Sequence, residues 1–158
     1  MTPAIVAAQR ANIDYAVHEY SHEPGATSYG MEAVDKLGLD PAQVFKTLVA
    51  KVDGKLALGL VPVDSTLDLK ALAAALGGKR ATMAELAEAE RATGYVAGGI
   101  SPLGQKRRLP TVIDQSALSF SRIHVSAGRR GLEIELAPQD LQRLCDAQAA
   151  SIGRRLHT

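Results

Sequence analysis

Residues 44–63 read VFKTLVAKVDGKLALGLVPV. Val44 to Val52 is β-prone, Asp53-Gly54 supplies the left-handed conformations of a tight turn, and Lys55 to Val63 returns along the first run. This pair requires at least one antiparallel ladder. Upstream, Asp14 to Tyr20 (DYAVHEY) alternates and predicts a strand. Before it, Thr2-Pro3 opens a helix over AIVAAQRAN, because Thr accepts a backbone N–H and Pro suits a first turn. His22 to Tyr29, with Pro24 and Gly25, reads as a loop. Met31 to Leu37 reads as a helix ended by Gly38, with a turn at Asp40-Pro41. Downstream, helices are predicted over Leu67 to Leu76, beginning near Ser65 or Thr66, and over Met83 to Arg91. Gly94 to Gly104 is glycine-rich and irregular. Short strands follow at Thr111–Asp114, Ile123–Ser126 and Leu132–Leu136, then a helix from Pro138 to Ala147. Strands and helices mix without regular βαβ alternation. The expectation is one α+β domain over residues 1–158, its mixed sheet curved or barrel-like and surrounded by helices.

The chain has 158 residues, 46% hydrophobic and 22% charged, within the ordinary range for a globular protein and outside those of disorder, collagen and coiled coil. Aromatics are only 4%, too few for a base-stacking platform. The single cysteine, Cys145, excludes an internal disulfide and cysteine-based metal clusters. No apolar run of about 18 residues exists to span a bilayer, and the opening residues do not read as a secretory signal. A cytoplasmic protein with no membrane partner is the expectation. Net charge is +1, distributed unevenly: residues 1–100 carry nine Lys+Arg against twelve Asp+Glu, residues 101–158 nine against five. The excess gathers at Lys106-Arg107-Arg108 and Arg129-Arg130. Such clusters are either a solvated face or a patch that touches a few phosphates.

The dinucleotide fingerprint, the phosphate loop and the nucleophile elbow are absent. His18 and His22 have helical metal-ligand spacing, but His18 lies in a predicted strand, where four residues span roughly 13 Å. They are not expected to share a metal. Cys145 shares a helical face with Leu141 and Leu144, as a buried small residue does. Two features point to chemistry. Lys46 interrupts an apolar strand, so its ammonium either snorkels to water or faces an anion in a cavity. Gly98-Gly99, in GGISPLGQKRR at 98–108, lets the backbone approach a ligand and aim amides at an oxygen; a plain structural turn is the other reading.

These residues carry a resemblance. Phe45-Lys46-Thr47-Leu48, Thr93-Gly94-Tyr95, GGISPLGQKRRLPT at 98–111, Val125-Ser126 and Arg130-Gly131-Leu132-Glu133 resemble the bacterial YbaK/EbsC proteins, relatives of the editing domain inserted in prolyl-tRNA synthetase. The likeness extends over essentially the whole chain, and GGISPLGQ is specific to the YbaK branch. It implies a trans-editing aminoacyl-tRNA deacylase that clears Cys-tRNA(Pro), with no metal or organic cofactor and with prolyl-tRNA synthetase as a possible partner. A deacylase for another aminoacyl-tRNA, Ala or Ser, or a non-catalytic module binding a tRNA acceptor end or a synthetase, are the alternatives.

The same resemblance places the pocket at Tyr20, Lys46, Thr47, Gly98, Gly99, Ser101, Ser126 and Glu133. Lys46 and the Gly98-Gly99 amides are implied to be catalytic. Tyr20, Thr47, Ser101, Ser126 and Glu133 are implied to hold the substrate. Lys106, Arg107, Arg108, Arg129 and Arg130 are expected at tRNA phosphates. The chemistry implied is substrate-assisted: the cysteinyl thiol attacks its own ester and leaves as a thiolactone. Glu133 stands where some members carry Asp, and Phe45 where Tyr is common.

Overall fold

The computed structural model describes residues 1–25 and 28–156; Ala26 and Thr27 of the expected loop, and His157, lie outside them. The 44–63 stretch forms the expected hairpin. β2 (Phe45–Val52) and β3 (Lys55–Pro62) pair antiparallel from Phe45 opposite Pro62 to Val52 opposite Lys55. Asp53 (φ 50°) and Gly54 (φ 83°) both sit in the left-handed region that such a two-residue turn demands. Before the hairpin come α1 (Pro3–Ala11), β1 (Tyr15–Glu19) and α2 (Tyr29–Leu37). The Thr2 hydroxyl caps α1 by accepting from the Ile5 amide at 3.2 Å. After it come β4 (Ser65–Leu67), α3 (Leu69–Ala75), β5 (Ala81–Met83), α4 (Leu86–Thr93) and β6 (Thr111–Asp114). The chain continues through β7 (Ile123–Arg129), β8 (Leu132–Leu136), α5 (Pro138–Cys145), β9 (Gln148–Ala150) and β10 (Gly153–Arg155).

The strands form a mixed five-stranded sheet in the order β5-β2-β3-β6-β9, a three-stranded sheet β1-β8-β7 and the pair β10-β4. The β3–β6 and β6–β9 pairings are parallel and the rest antiparallel. A lone parallel bridge between Val44 and His124 ties the two larger sheets together. The result is the expected α+β domain, with five α-helices among the described residues around a mixed sheet.

Several boundaries differ from expectation. The third helix begins at Leu69 rather than near Ser65, because the Asp68 carboxylate accepts from the Ala71 amide at 2.9 Å and caps it there. Ser65–Leu67 instead pairs with β10. Met83 lies in β5, paired with Ala50, and the fourth helix starts three residues later at Leu86. The last helix stops at Cys145, where Asp146 turns left-handed.

The three-stranded sheet has two unlike faces. Ile123, Val125, Ile134 and Leu136 are fully buried and pack with Ala4 and Ala8 of α1 and Leu141 of α5. The alternate residues His18, His124, Ser126, Glu133 and Glu135 lie on the other face, since successive side chains alternate. Ile134 is the buried keystone of β8 between two site-bearing positions. Ile134→Ala is expected to lower stability by about 2–5 kcal/mol, read as a shift in denaturant midpoint.

Candidate active site

β2 and β8 bring the polar residues of the two larger sheets to one cavity of about 400 Å³. It is lined by Tyr20, Lys46, Thr47, Gly98, Ser126 and Glu133, with Val44, Phe45, Leu48, Val63, Leu86 and Ile100 among the apolar walls. Six of the eight residues expected at a pocket therefore share one. Gly99 and Ser101 do not line it.

The bend at 98–101 explains that division. Gly98 has φ 83°, and a Cβ there would stand 2.7 Å from Arg130 Nε and 2.9 Å from the Tyr29 ring. Its amide donates to no group among the described residues. The Gly99 amide, in contrast, donates to the Val96 carbonyl at 2.9 Å, and a Cβ on Gly99 would lie 2.6 Å from Arg129 Cα. Gly99 thus closes the turn and lets the Arg129 backbone pass. Ser101 is fully buried, its hydroxyl accepting from the Leu103 amide at 3.2 Å and its carbonyl from Gln105 at 2.9 Å. It holds the loop rather than facing the cavity.

Lys46 reaches the cavity from β2, half-buried. Burial lowers its pKa below that of an ordinary lysine, and the Asp64 carboxylate pulls it part of the way back. No carboxylate comes within ion-pair distance of it among the described residues. The Thr47 hydroxyl is buried with no hydrogen-bond partner among them. A buried hydroxyl without a partner is costly, and a ligand's polar group would relieve it. Tyr20 is held by its own amide, which donates to the Gly131 carbonyl at 2.9 Å. Burial, with the nearby Glu133 charge, pushes the Tyr20 phenol up to about 12, so it stays a donor at neutral pH. The Ser126 hydroxyl accepts from the Gly128 amide at 3.2 Å at the bulge of β7.

Glu133 faces Ser126 on one side and His18 on the other in strand register. It is only 6% exposed, and burial alone pushes its carboxyl up from 4.5 to about 8. The folded protein therefore holds a proton that the unfolded chain releases, so this group withdraws stability as pH rises from about 4.5 to about 8. Glu133→Gln is expected to raise the melting temperature at pH 8, leave it unchanged below pH 4, and flatten the decline between. Thermal scans across that range check it, and an unchanged decline contradicts it.

The basic clusters separate. Arg130 does not line the cavity but holds two residues that do, its Nε donating to the Ala97 carbonyl at 2.8 Å and its guanidinium 4.7 Å from the centre of the Tyr29 ring. Tyr29, at the start of α2, is a cavity residue that sequence reasoning missed; its neighbours become visible only in the fold. Arg129 is exposed and pairs with Glu19 at 3.1 Å. Lys106, Arg107 and Arg108 are exposed and do not line the cavity. Arg108 donates to the Leu144 carbonyl at 3.1 Å beside a second cavity of about 240 Å³.

Cys145 borders that second cavity, buried, with its thiol donating to the Pro102 carbonyl at 3.3 Å. Burial pushes the thiol up to about 12, far from a reactive thiolate. His18 and His22 go separate ways: His22 Nδ1 meets Glu32 at 2.7 Å and His18 Nε2 meets Glu135 at 2.8 Å. Among the described residues, no helix is long and apolar enough to cross a membrane.

Residues 22–144 match the aminoacyl-tRNA editing domain family. EbsC of Enterococcus faecalis, provisionally named a Cys-tRNA(Pro)/Cys-tRNA(Cys) deacylase, is 37% identical over 153 residues, covering 96% of this chain and 92% of EbsC. ProXp-y of Escherichia coli K12, named a multifunctional Ser/Thr-tRNA deacylase, is 32% identical over 129 residues, covering 78% of this chain and 77% of ProXp-y. A crystal structure described as that of a provisional trans-editing enzyme for prolyl-tRNA synthetase superposes with TM-score 0.83 at 25% identity, covering 96% of this chain and 95% of the other.

Proposed function

The chain belongs to the aminoacyl-tRNA editing domain family, and on that premise we propose that it deacylates Cys-tRNA(Pro) in trans, using the substrate's own thiol as nucleophile. The observation that carries this reading is a cavity with a cation, hydroxyls and a free glycine amide but no thiol of its own. Cys145 lies elsewhere, buried and protonated. The relative EbsC, at 37% identity, supports the substrate.

In this scheme the cysteinyl thiol loses its proton and its sulfur attacks the ester carbonyl carbon. The C–S bond forms, the bond from that carbon to the terminal ribose oxygen breaks, and the ribose oxygen takes up the proton. Free tRNA and a cysteine thiolactone leave, and water opens the thiolactone afterwards. The protein's part is positioning and charge stabilisation. The Gly98 amide receives the carbonyl oxygen as it becomes an oxyanion. Lys46 neutralises that charge or the terminal phosphate. Glu133 meets the substrate's α-ammonium, which draws out the carboxyl's proton. Tyr20, Ser126 and the unpartnered Thr47 hydroxyl take the remaining polar groups. Arg130, packed on the cavity residue Tyr29, with Lys106, Arg107, Arg108 and Arg129 elsewhere on the surface, supplies the few phosphate contacts. Contacts so few favour delivery of tRNA by a partner, for which prolyl-tRNA synthetase is the candidate.

A second reading has its own support. ProXp-y acts, by its name, on Ser- and Thr-tRNA, and the free Thr47 hydroxyl is suited to a substrate hydroxyl. The test is loss of the labelled ester of Cys-tRNA(Pro) under single-turnover conditions. Acceleration over buffer supports the proposal, and Cys145→Ala is expected to match the wild-type rate. Binding of tRNA with no gain in ester loss would reduce the protein to an acceptor-end binding module.

A further inference from the structure

The polar face of the β1-β8-β7 sheet continues beyond Glu133 into a second group. His124 stands directly opposite Glu135 across the β7–β8 pair. His18 stands opposite Glu133, one step along β8, which makes it the diagonal neighbour of Glu135. Directly opposed and diagonal positions on one face are within reach of long side chains. One ligand atom from each of His18, His124 and Glu135 lies within 4.8 Å of the other two. His18 Nε2 already sits 2.8 Å from Glu135 Oε1.

A second observation points to a ligand here. His124 is 7% exposed, and its Nδ1 is buried with no hydrogen-bond partner among the described residues. A ring nitrogen left this way lacks the partner that a buried imidazole normally finds. We propose that His18, His124 and Glu135 hold one divalent transition-metal ion, zinc by the chemistry of the donor set.

Two imidazoles and one carboxylate on one sheet face make a three-ligand site with a fourth position for water. Around an ion ~2.0–2.1 Å from each ligand, tetrahedral donors stand roughly 3.3 Å apart. The His18–Glu135 pair, now 2.8 Å, opens slightly, and no ligand atom starts more than 4.8 Å from another. The direct contact between His18 and Glu135 gives way as the ion takes its place between them. The surroundings are built to orient the carboxylate. Arg122 Nε lies 3.5 Å from Glu135 Oε2, the oxygen away from His18, and Arg122 is itself held by Asp14 at 3.2 Å. Outer partners of this kind fix a ligating carboxylate. The His18 and Glu135 side chains, 37% and 25% exposed, give the ion its way in. The inference is independent of the ester chemistry, which needs no ion.

The test uses the full chain, stripped with a chelator and titrated with Co²⁺ as a spectroscopic probe and with Zn²⁺ by calorimetry. One ion per chain is expected, with the visible absorption of four-coordinate Co²⁺, displacement by Zn²⁺ and a raised melting temperature. His18→Ala, at a partly exposed position that does not threaten folding, and Glu135→Gln are each expected to weaken binding at least about tenfold. His22→Ala is expected to leave it intact. Absence of binding at millimolar Zn²⁺, or binding that both His18→Ala and Glu135→Gln retain in full, overturns the site and leaves a plain hydrogen-bonded cluster.

Discussion

Lys46→Met is expected to lower kcat/KM for Cys-tRNA(Pro) by about a hundred- to a thousandfold, the loss that follows removal of one preorganised stabiliser of developing charge. Methionine keeps the apolar stem and deletes the ammonium. The Lys46 amine is half-buried, has its pKa lowered by that burial, and has no ion-pair partner among the described residues. The cost of burying it outweighs the attraction of Asp64, so Lys46→Met is expected to melt at or above the wild-type temperature. The split between activity and stability separates a catalytic ammonium from a snorkelling one. A variant with wild-type turnover shows that the ammonium merely reaches water. Melting curves and single-turnover rates on the same preparation give both readings.

Gly98→Ala is expected to produce the second large loss, about a hundredfold in the same measurement. Two effects combine. The position has φ 83°, where a side chain is strained, and the new methyl would sit 2.7 Å from Arg130 Nε and 2.9 Å from the Tyr29 ring. Relief of that crowding moves the Gly98 amide or Tyr29, both at the cavity, or Arg130, which packs on Tyr29. Gly54→Ala is the matched control. Gly54 has the same φ of 83°, yet a methyl there meets nothing within 4 Å, and this hairpin turn does not line the cavity. Both variants are expected to lose about 1 kcal/mol of stability from backbone strain, but only Gly98→Ala loses activity per folded molecule. Equal activities would assign the glycine bend a structural role alone.

The parts of the fold legible in the sequence are those with a local physical signature. The β2–β3 hairpin is marked by a long β-prone run broken only at Asp53-Gly54, and α1 by Thr2-Pro3. Lys46 is conspicuous because a charge interrupts an apolar strand. The three-residue strands β4, β5, β9 and β10 are too short to carry a period, and only their partners define them. Glycine pairs show where backbone comes close to something, not to what: Gly98 faces the cavity and Gly99 the Arg129 backbone. The convergence of His18 with Glu135, 117 residues apart, depends on the register of β1 against β8, which no local pattern encodes. The same holds for Tyr29 beneath Arg130.

The central claim is that the attacking sulfur belongs to the substrate. It is tested most directly by the single-turnover rates of Cys-tRNA(Pro) and Ser-tRNA(Pro), two esters on one tRNA that differ only in sulfur for oxygen. Rapid loss of the cysteinyl ester is expected, equally fast with Cys145→Ala, with a seryl ester that survives as it does in buffer. Comparable loss of both esters would contradict it, because a poorly nucleophilic hydroxyl does not take the thiol's place, and the attacking group would then have to come from water or the protein.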